Sequence, residues 1–408
     1  MNTITHRPGK PSPNPDTTAT MRAIVQEHYG SSDTWRLTEI DHPEIEAHEV
    51  LVQVDAAGLD RGTWHLMTGR PYLMRIMGFG LRSPKNRVPG LAVAGTVAAV
   101  GADVSRFEVG DEVFGVSRGA FAEYAAARED KLAPKPSTLT FEQAAAVPVS
   151  ATTAFQGLRL GRIAAGQKVL IIGASGGVGT YAVQLAKASG TEVTGVCSTA
   201  KADLVRSLGA DHVIDYATED ATEGSRRYDL ILDIAGNASL RHLRRALNPT
   251  GNLVIVGGES KGTLTGGFGR SLRAPLVSIF VRPRLTMLTS SEHHADLVPL
   301  TDLIDAGRLT PSIDQTYRLD QAPEAMRQLE AGTARGKICI TIASPPPPRR
   351  TTLLSASRST TGSGMVPSSK TIASASITAL NSASVTSAVA EEHAANAKTI
   401  APRPTAAR

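Results

Sequence analysis

Residues 168–190, KVLIIGASGGVGTYAVQLAKASG, constrain this chain more than any other stretch. Val169 to Ile172 is an unbroken apolar run, the pattern of a parallel strand buried on both faces. Gly173, Gly176 and Gly179 follow at three-residue spacing. Thr180 to Ala188 then predicts a helix, with Ala182, Val183, Leu185 and Ala186 on its apolar side. A strand, a glycine-rich turn and a helix N-terminus together present backbone N–H groups and a positive dipole end to a phosphate. The spacing is G-x-x-G-x-x-G and not the simplest dinucleotide fingerprint, so the surrounding pattern must carry the inference.

Apolar runs recur at 192–197, 208–216, 229–236 and 252–258, with helical patterns such as Lys201 to Leu208 between most of them. This alternation predicts an α/β fold with a Rossmann-type, doubly wound parallel sheet over residues 150–290 that binds a dinucleotide. The end of the second strand discriminates between cofactors. A site for NAD places a carboxylate there for the ribose 2′-OH. Here Cys197, Ser198, Thr199, Ala200 and Lys201 offer none before Asp203. Ser198 can donate a hydrogen bond and Lys201 can neutralise a 2′-phosphate, so NADPH is expected over NADH.

Upstream, HEVLVQVDAAGLD, PGLAVAGTVAAVG and GDEVFGV are short β-rich segments punctuated by Gly, Pro and Asp, which predicts a β-rich domain over residues 21–149. Residues 291–343, with a helix over Ser291 to Gly307 and a last strand at 337–342, are expected to rejoin it. The crevice between the two halves would then be the site. Residues 1–20 are proline-rich, and residues 344–408 turn abruptly to Ser, Thr, Ala and Pro. Both are expected to be disordered tails. The tails hold nine of the 43 basic and three of the 38 acidic side chains, leaving 34 against 35 in residues 21–343. That near-neutral body gives no footprint for a nucleic acid. Cys197 and Cys339 are the only cysteines, which excludes a disulfide framework or a cysteine zinc cluster. No apolar run approaches the length that spans a bilayer and no signal-peptide core is present, so a cytoplasmic location is expected.

Residues 21–343 resemble the medium-chain dehydrogenase/reductase superfamily, in its zinc-free quinone oxidoreductase-like branch. The resemblance rests on AAGLDRGTWHLMTG (56–69), VPGLAVAGTVAAVG (88–101), FEVGDEVFGV (107–116), GAFAEYAAA (119–127), AAAVPVSATTAFQGL (144–158), the glycine turn and LGADHVIDY (208–216). It implies a GroES-like β-rich catalytic domain joined to the Rossmann domain. Zinc-dependent members place a Cys ligand where this chain has Asp60, a His-Glu pair at Leu91 and Ala92, and a third ligand near Val149. Apolar side chains cannot hold Zn²⁺, and one carboxylate falls short of the three protein ligands a catalytic site needs. No metal is therefore expected. The chemistry implied is hydride transfer from a reduced nicotinamide to a small-molecule quinone or α,β-unsaturated carbonyl. Hydrogen-bond donors meet the enolate charge, and a side chain or water supplies the proton.

By this resemblance His65 matches a proton-relay histidine or pocket tyrosine; the alternative packs it beside Trp64. Asp60 either orients substrate or His65, or caps a turn. Tyr72 resembles the tyrosine of enoyl-thioester reductases, offset by one residue. Arg61 and the run Ser175, Gly176, Gly177 and Val178 are assigned to the cofactor pyrophosphate. Ser198, Lys201 and Tyr216 are assigned to its adenosine end, and Asn237, Val256 and Gly257 to its nicotinamide. Thr153 at the domain junction and Lys337 in the returning segment are further expected contacts. His293 and His294 are expected to be solvated. The long connection 259–283 reads as a lid or as a dimer contact, and a homodimer is common in the family resembled. An enoyl-thioester reductase and an NADPH-binding protein without turnover are the alternative functions. Removing residues 344–408 is expected to leave the melting temperature and turnover unchanged; a large loss of either in the truncated chain would contradict this reading of the tail.

Overall fold

The computed structural model describes residues 20–236, 238–257 and 268–342. The expectations for residues 1–19, for Asn237, for 259–267 of the proposed lid and for the C-terminal tail lie outside the described residues. In chain order the first part contains β1 (Thr20–Val25), β2 (Arg36–Asp41), β3 (Glu49–Leu59), α1 (Arg61–Thr68), β4 (Ala92–Val100), β5 (Glu112–Val116), β6 (Tyr124–Arg128), β7 (Leu132–Pro134) and α2 (Phe141–Ala145). Thr20 already pairs with Asp41, so β1 starts one residue before the expected boundary. β3 carries the apolar run EVLVQVDAAGL and is buried along nearly its whole length, because β4 and β6 both pair with it. Behind it Trp35 donates from Nε1 to Gln26 Oε1 at 2.9 Å and meets Phe121 edge-on at 5.7 Å.

The second part contains α3 (Pro148–Leu160), β8 (Lys168–Ile172), α4 (Gly177–Ala188), β9 (Glu192–Cys197), α5 (Ala202–Ser207), β10 (His212–Asp215), β11 (Tyr228–Asp233), α6 (Leu240–Arg245), β12 (Leu247–Ile255), α7 (Phe268–Ser278) and β13 (Arg284–Met287). Its strands form one parallel sheet in the order β10-β9-β8-β11-β12-β13. The order reverses at β8, the strand that feeds the glycine turn, and such a reversal opens the crevice where open α/β sheets bind ligands. Val169 and Ile171 on one face of β8 join Tyr181, Ala182 and Val183 of α4 in one core, while Leu170 enters the core on the other face. α4 starts at Gly177, three residues before the helix the sequence predicts. Glycine is poorly disfavoured in a first turn, where few intrahelical bonds exist to be weakened.

The chain then forms α8 (His294–Asp305), β14 (Ile313–Arg318), α9 (Ala322–Glu330) and β15 (Lys337–Thr341). β15 runs antiparallel to β3, with Ile338 opposite Leu59, and β14 runs parallel to β15. The first sheet therefore reads β14-β15-β3-β4-β5-β7, and its last strand to be synthesised lies beside its longest one. His293 caps α8, with Nδ1 accepting from the Ala295 N–H at 3.1 Å, as a solvated residue can. His294 departs from expectation: it is half-buried, and its Nδ1 donates to Asp130 O at 3.1 Å, fastening α8 to the first part.

Gly179 is the tightest point between turn and helix. A Cβ there would collide with the Gly173 carbonyl oxygen and lie 2.7 Å from Ala174 Cα. Gly179→Ala is expected to destabilise the chain by about 1–3 kcal/mol, read as a fall of several degrees in Tm. An unchanged Tm would mean that α4 can move off β8 without loss.

Candidate active site at the glycine turn and the returning strand

The first turn of α4 has no side-chain cap at Gly176, so its leading N–H groups are left for a ligand. A Cβ on Gly176 would meet nothing closer than Gly173 O at 3.6 Å. This open, donor-lined cradle fits a dinucleotide pyrophosphate. One wall of it is β15. The Gly336 N–H donates to Ser175 O at 3.0 Å, and Gly176 and Gly336 pair as a parallel bridge. A Cβ on Gly177 would lie 3.0 Å from Lys337 Cδ and 3.3 Å from Ser150 Oγ, so only glycine lets the two parts approach here.

Lys337 crosses this seam. It is 2% exposed, and its Nζ donates to Leu59 O at 2.8 Å, at the end of β3. Burial holds its ammonium below the ordinary lysine value, and the charge of Asp60 draws it partway back. Asp60 is the N-cap of α1: Oδ1 accepts from the Thr63 N–H at 2.9 Å and from Thr63 Oγ1 at 3.3 Å. Of the roles expected for Asp60, capping is the one its hydrogen bonds display. Its Oδ2 is buried and takes no hydrogen bond.

Farther along α1, His65 Nδ1 lies 2.8 Å from Arg70 O. A carbonyl can only accept, so Nδ1 carries the proton of the neutral ring. Trp64 meets the imidazole edge-on at 4.9 Å, and the Arg61 guanidinium lies over the Trp64 ring at 4.6 Å. Tyr72 is exposed, and Arg75 stacks between it and Tyr29 at 4.6 and 4.2 Å. Asp60, Lys337, Ser175 and Gly177 thus meet in one seam, whereas His65 and Tyr72 occupy the helix end and lip that lead away from it.

At the end of β9, Ser198 precedes a short 3-10 turn, Thr199–Lys201. The Tyr216 N–H donates to Cys197 O at 3.2 Å, which sets exposed Tyr216 next to Ser198. Lys201 does not lie open: its Nζ donates to Gly332 O at 2.6 Å and Ala334 O at 2.7 Å, in the loop between α9 and β15. At the other end of the crevice, the Val256 and Gly257 N–H groups donate to Asp233 O at 2.9 and 3.4 Å. Asp233 Oδ1 accepts from the Gly236 N–H at 2.8 Å and so shapes the loop after β11. Thr153 Oγ1 donates to Val149 O at 2.7 Å and lies 3.4 Å from Ser290 Oγ.

The sequence profile of the alcohol dehydrogenase GroES-like domain matches residues 46–137, and that of zinc-binding dehydrogenase matches residues 208–340. The chain is 31% identical to a chloroplastic quinone oxidoreductase of Triphysaria versicolor, over 78% of this chain and 98% of that protein. It is 32% identical to an NADPH-dependent alkenal/one oxidoreductase of Arabidopsis thaliana, over 78% of this chain and 79% of that protein. The solved structure of the quinone oxidoreductase from Coxiella burnetii superposes with a TM-score of 0.71 at 27% identity, covering 80% of this chain and all of that one, 100%. The chain belongs to the medium-chain dehydrogenase/reductase superfamily, in its quinone oxidoreductase-like branch. It is accordingly a nicotinamide-dependent oxidoreductase.

Against that superfamily's zinc-dependent members, the donor set here is one carboxylate, Asp60, with Leu91, Ala92 and Val149. Among the described residues no group of three His, Cys, Asp or Glu side chains is placed to hold a metal. The zinc in the matched profile's name thus finds no donor set here. Sequence reasoning passed over Ser150, Asp233 and Ser290. For Asp233 a signal existed, because an Asp three residues before a Gly, as in DIAG, is an Asx-turn pattern. Ser150 comes near Gly177, and Ser290 near Thr153, only through long-range packing, and neither carried a signal.

Lys337 gives this seam a pH signature. The folded chain releases the Lys337 proton below the ordinary value of 10.5, so the unfolded chain binds more protons over that window. Stability from this group therefore rises with pH through the window. The stability of the wild type relative to Lys337→Met is expected to increase as pH rises toward the ordinary lysine value of 10.5, measured by urea unfolding at each pH. A pH-independent difference would mean that the ammonium is not desolvated.

Proposed function

We propose that the chain reduces quinones or α,β-unsaturated carbonyls with NADPH and without zinc. One observation carries this reading: the uncapped glycine turn faces a seam made of Lys337 and Asp60, and the positions matching zinc ligands offer only a single carboxylate. The names of the relatives in Triphysaria versicolor and Arabidopsis thaliana support the substrate class. Bound nicotinamide in its reduced form supplies a hydride. The chain's own residues bind and orient: the first-turn N–H groups of α4 hold the pyrophosphate, and Asp233 fixes the Val256–Gly257 backbone around the nicotinamide end. Thr153, half-buried between α3 and the end of β13, lines the same opening.

After hydride addition to the β-carbon of an enone, the substrate oxygen needs a proton or a donor. His65 supplies it in this reading. With Nδ1–H committed to Arg70 O, only the imidazolium has a proton to give from Nε2. Tyr72, held by Arg75, forms the outer lip of the substrate opening. Buried, unpaired Cys197 and Cys339 support a reducing compartment such as the cytoplasm. Among the described residues no helix is long and apolar enough to cross a membrane. A homodimer is the assembly we assign, with β13 at the edge of the parallel sheet.

The test is an NADPH-oxidation screen over quinones, enals, enones and enoyl-CoA, with NADH alongside and a zinc chelator added. NADPH consumption with quinones and enones, unaffected by chelator, is the expected outcome. Strong NADH preference or chelator-sensitive alcohol oxidation would refute the corresponding part. His65→Gln is expected to lower kcat roughly 10²-fold while leaving the affinity for NADPH unchanged. Unchanged turnover across pH would remove His65 from the mechanism.

A further inference from the structure

Three cations crowd the end of β9: Lys201 and Arg206 act on the buried Cys197, and Arg335 acts on Lys201. Two of them are already engaged. Arg206 pairs with Asp203 at 3.1 Å. Lys201 gives two of its three protons to Gly332 O and Ala334 O. A phosphate could claim it fully only by breaking the contact that joins the parallel sheet to the α9–β15 loop. Arg335 is exposed and, among the described residues, forms no side-chain hydrogen bond or ion pair.

The backbone of Arg335 is nevertheless held on both sides. Ala334, before it, accepts from Lys201 at 2.7 Å, and Gly336, after it, donates to Ser175 at 3.0 Å. The backbone of Arg335 therefore stands between a residue bonded to Lys201, beyond the strand end assigned to the adenosine, and one bonded to the turn assigned to the pyrophosphate. The anions nearby have other partners. Asp215 accepts from Thr199 Oγ1 and from the Ala217 N–H at 2.9 Å, and Asp314 accepts from Gln328 Nε2 at 3.2 Å. An unpartnered guanidinium with a planar fork of donors is the side chain best suited to a phosphate monoester.

We propose that Arg335 takes the 2′-phosphate of NADPH, and that Lys201 is the clasp holding its strand against the parallel sheet. The assignment rests on the NADPH reading above and deepens it. Cofactor choice then comes from the returning segment of the catalytic part, outside the β9 end where sequence fingerprints look for it. Lys201 is a positioning residue in this scheme.

Calorimetric titration with 2′,5′-ADP and 5′-AMP tests it, together with fluorescence titration of NADPH and NADH. The wild type should bind 2′,5′-ADP more tightly than 5′-AMP. Arg335→Gln should weaken 2′,5′-ADP and NADPH about tenfold or more while leaving 5′-AMP, NADH and Tm unchanged, and Arg335→Lys should recover part of the loss. Lys201→Met should lower Tm and weaken all four ligands alike. If Arg335→Gln binds 2′,5′-ADP like the wild type while Lys201→Met loses it selectively, the proposal is overturned and the NADPH reading stands. Equal losses of NADH and NADPH in Arg335→Gln would put the guanidinium on the pyrophosphate and also overturn it. A wild type that does not distinguish 2′,5′-ADP from 5′-AMP removes both.

Discussion

The position of β15 decides the rest of this cleft. Gly336 bonds to the glycine turn, and the next residue sends a buried ammonium to the carbonyl that ends β3. Taking an ammonium out of water costs several kcal/mol, and a single carbonyl at 2.8 Å with Asp60 nearby is the compensation available. Such a contact tolerates little displacement, so it holds β15 against the end of β3, while the Gly336 bond to Ser175 ties that sheet to the glycine turn. The helix α1 starts two residues beyond that carbonyl, with Asp60 between them as its cap.

The consequence for chemistry is a site assembled from opposite ends of the chain. In the proposed reading the cofactor cradle comes from β8 and α4, its wall from β15, and the helix that carries His65 from the segment following β3. Asp60 belongs to both arrangements: one oxygen caps α1 and the other faces the buried side without a donor. A side chain in that position cannot be removed without loosening the helix that carries His65, so its effect on turnover would pass largely through geometry.

Much of the architecture was legible in the residue pattern. The run at Val169–Ile172 and the glycines after it could scarcely form anything other than a buried strand feeding a helix terminus, and β9 spans the very residues its apolar run indicates. Local signals failed where a partner was distant. Lys201 reads as a phosphate cation from its place after β9, yet its protons go to carbonyls more than 130 residues later in the chain, 131 and 133 positions away. His294 reads as a solvated helix-start residue and instead reaches Asp130, 164 positions away. No window of sequence contains both members of such a pair.

By itself, then, the sequence determined the class of cofactor and the parallel sheet, because each of these depends on residue types at short spacing. Only the tertiary structure decided which charged groups remain available to a ligand. Lysines and arginines look alike along a chain, and their availability depends on which carbonyls and carboxylates folding brings within about 3 Å. At this site folding engages Lys201, buries Lys337 and leaves Arg335 exposed.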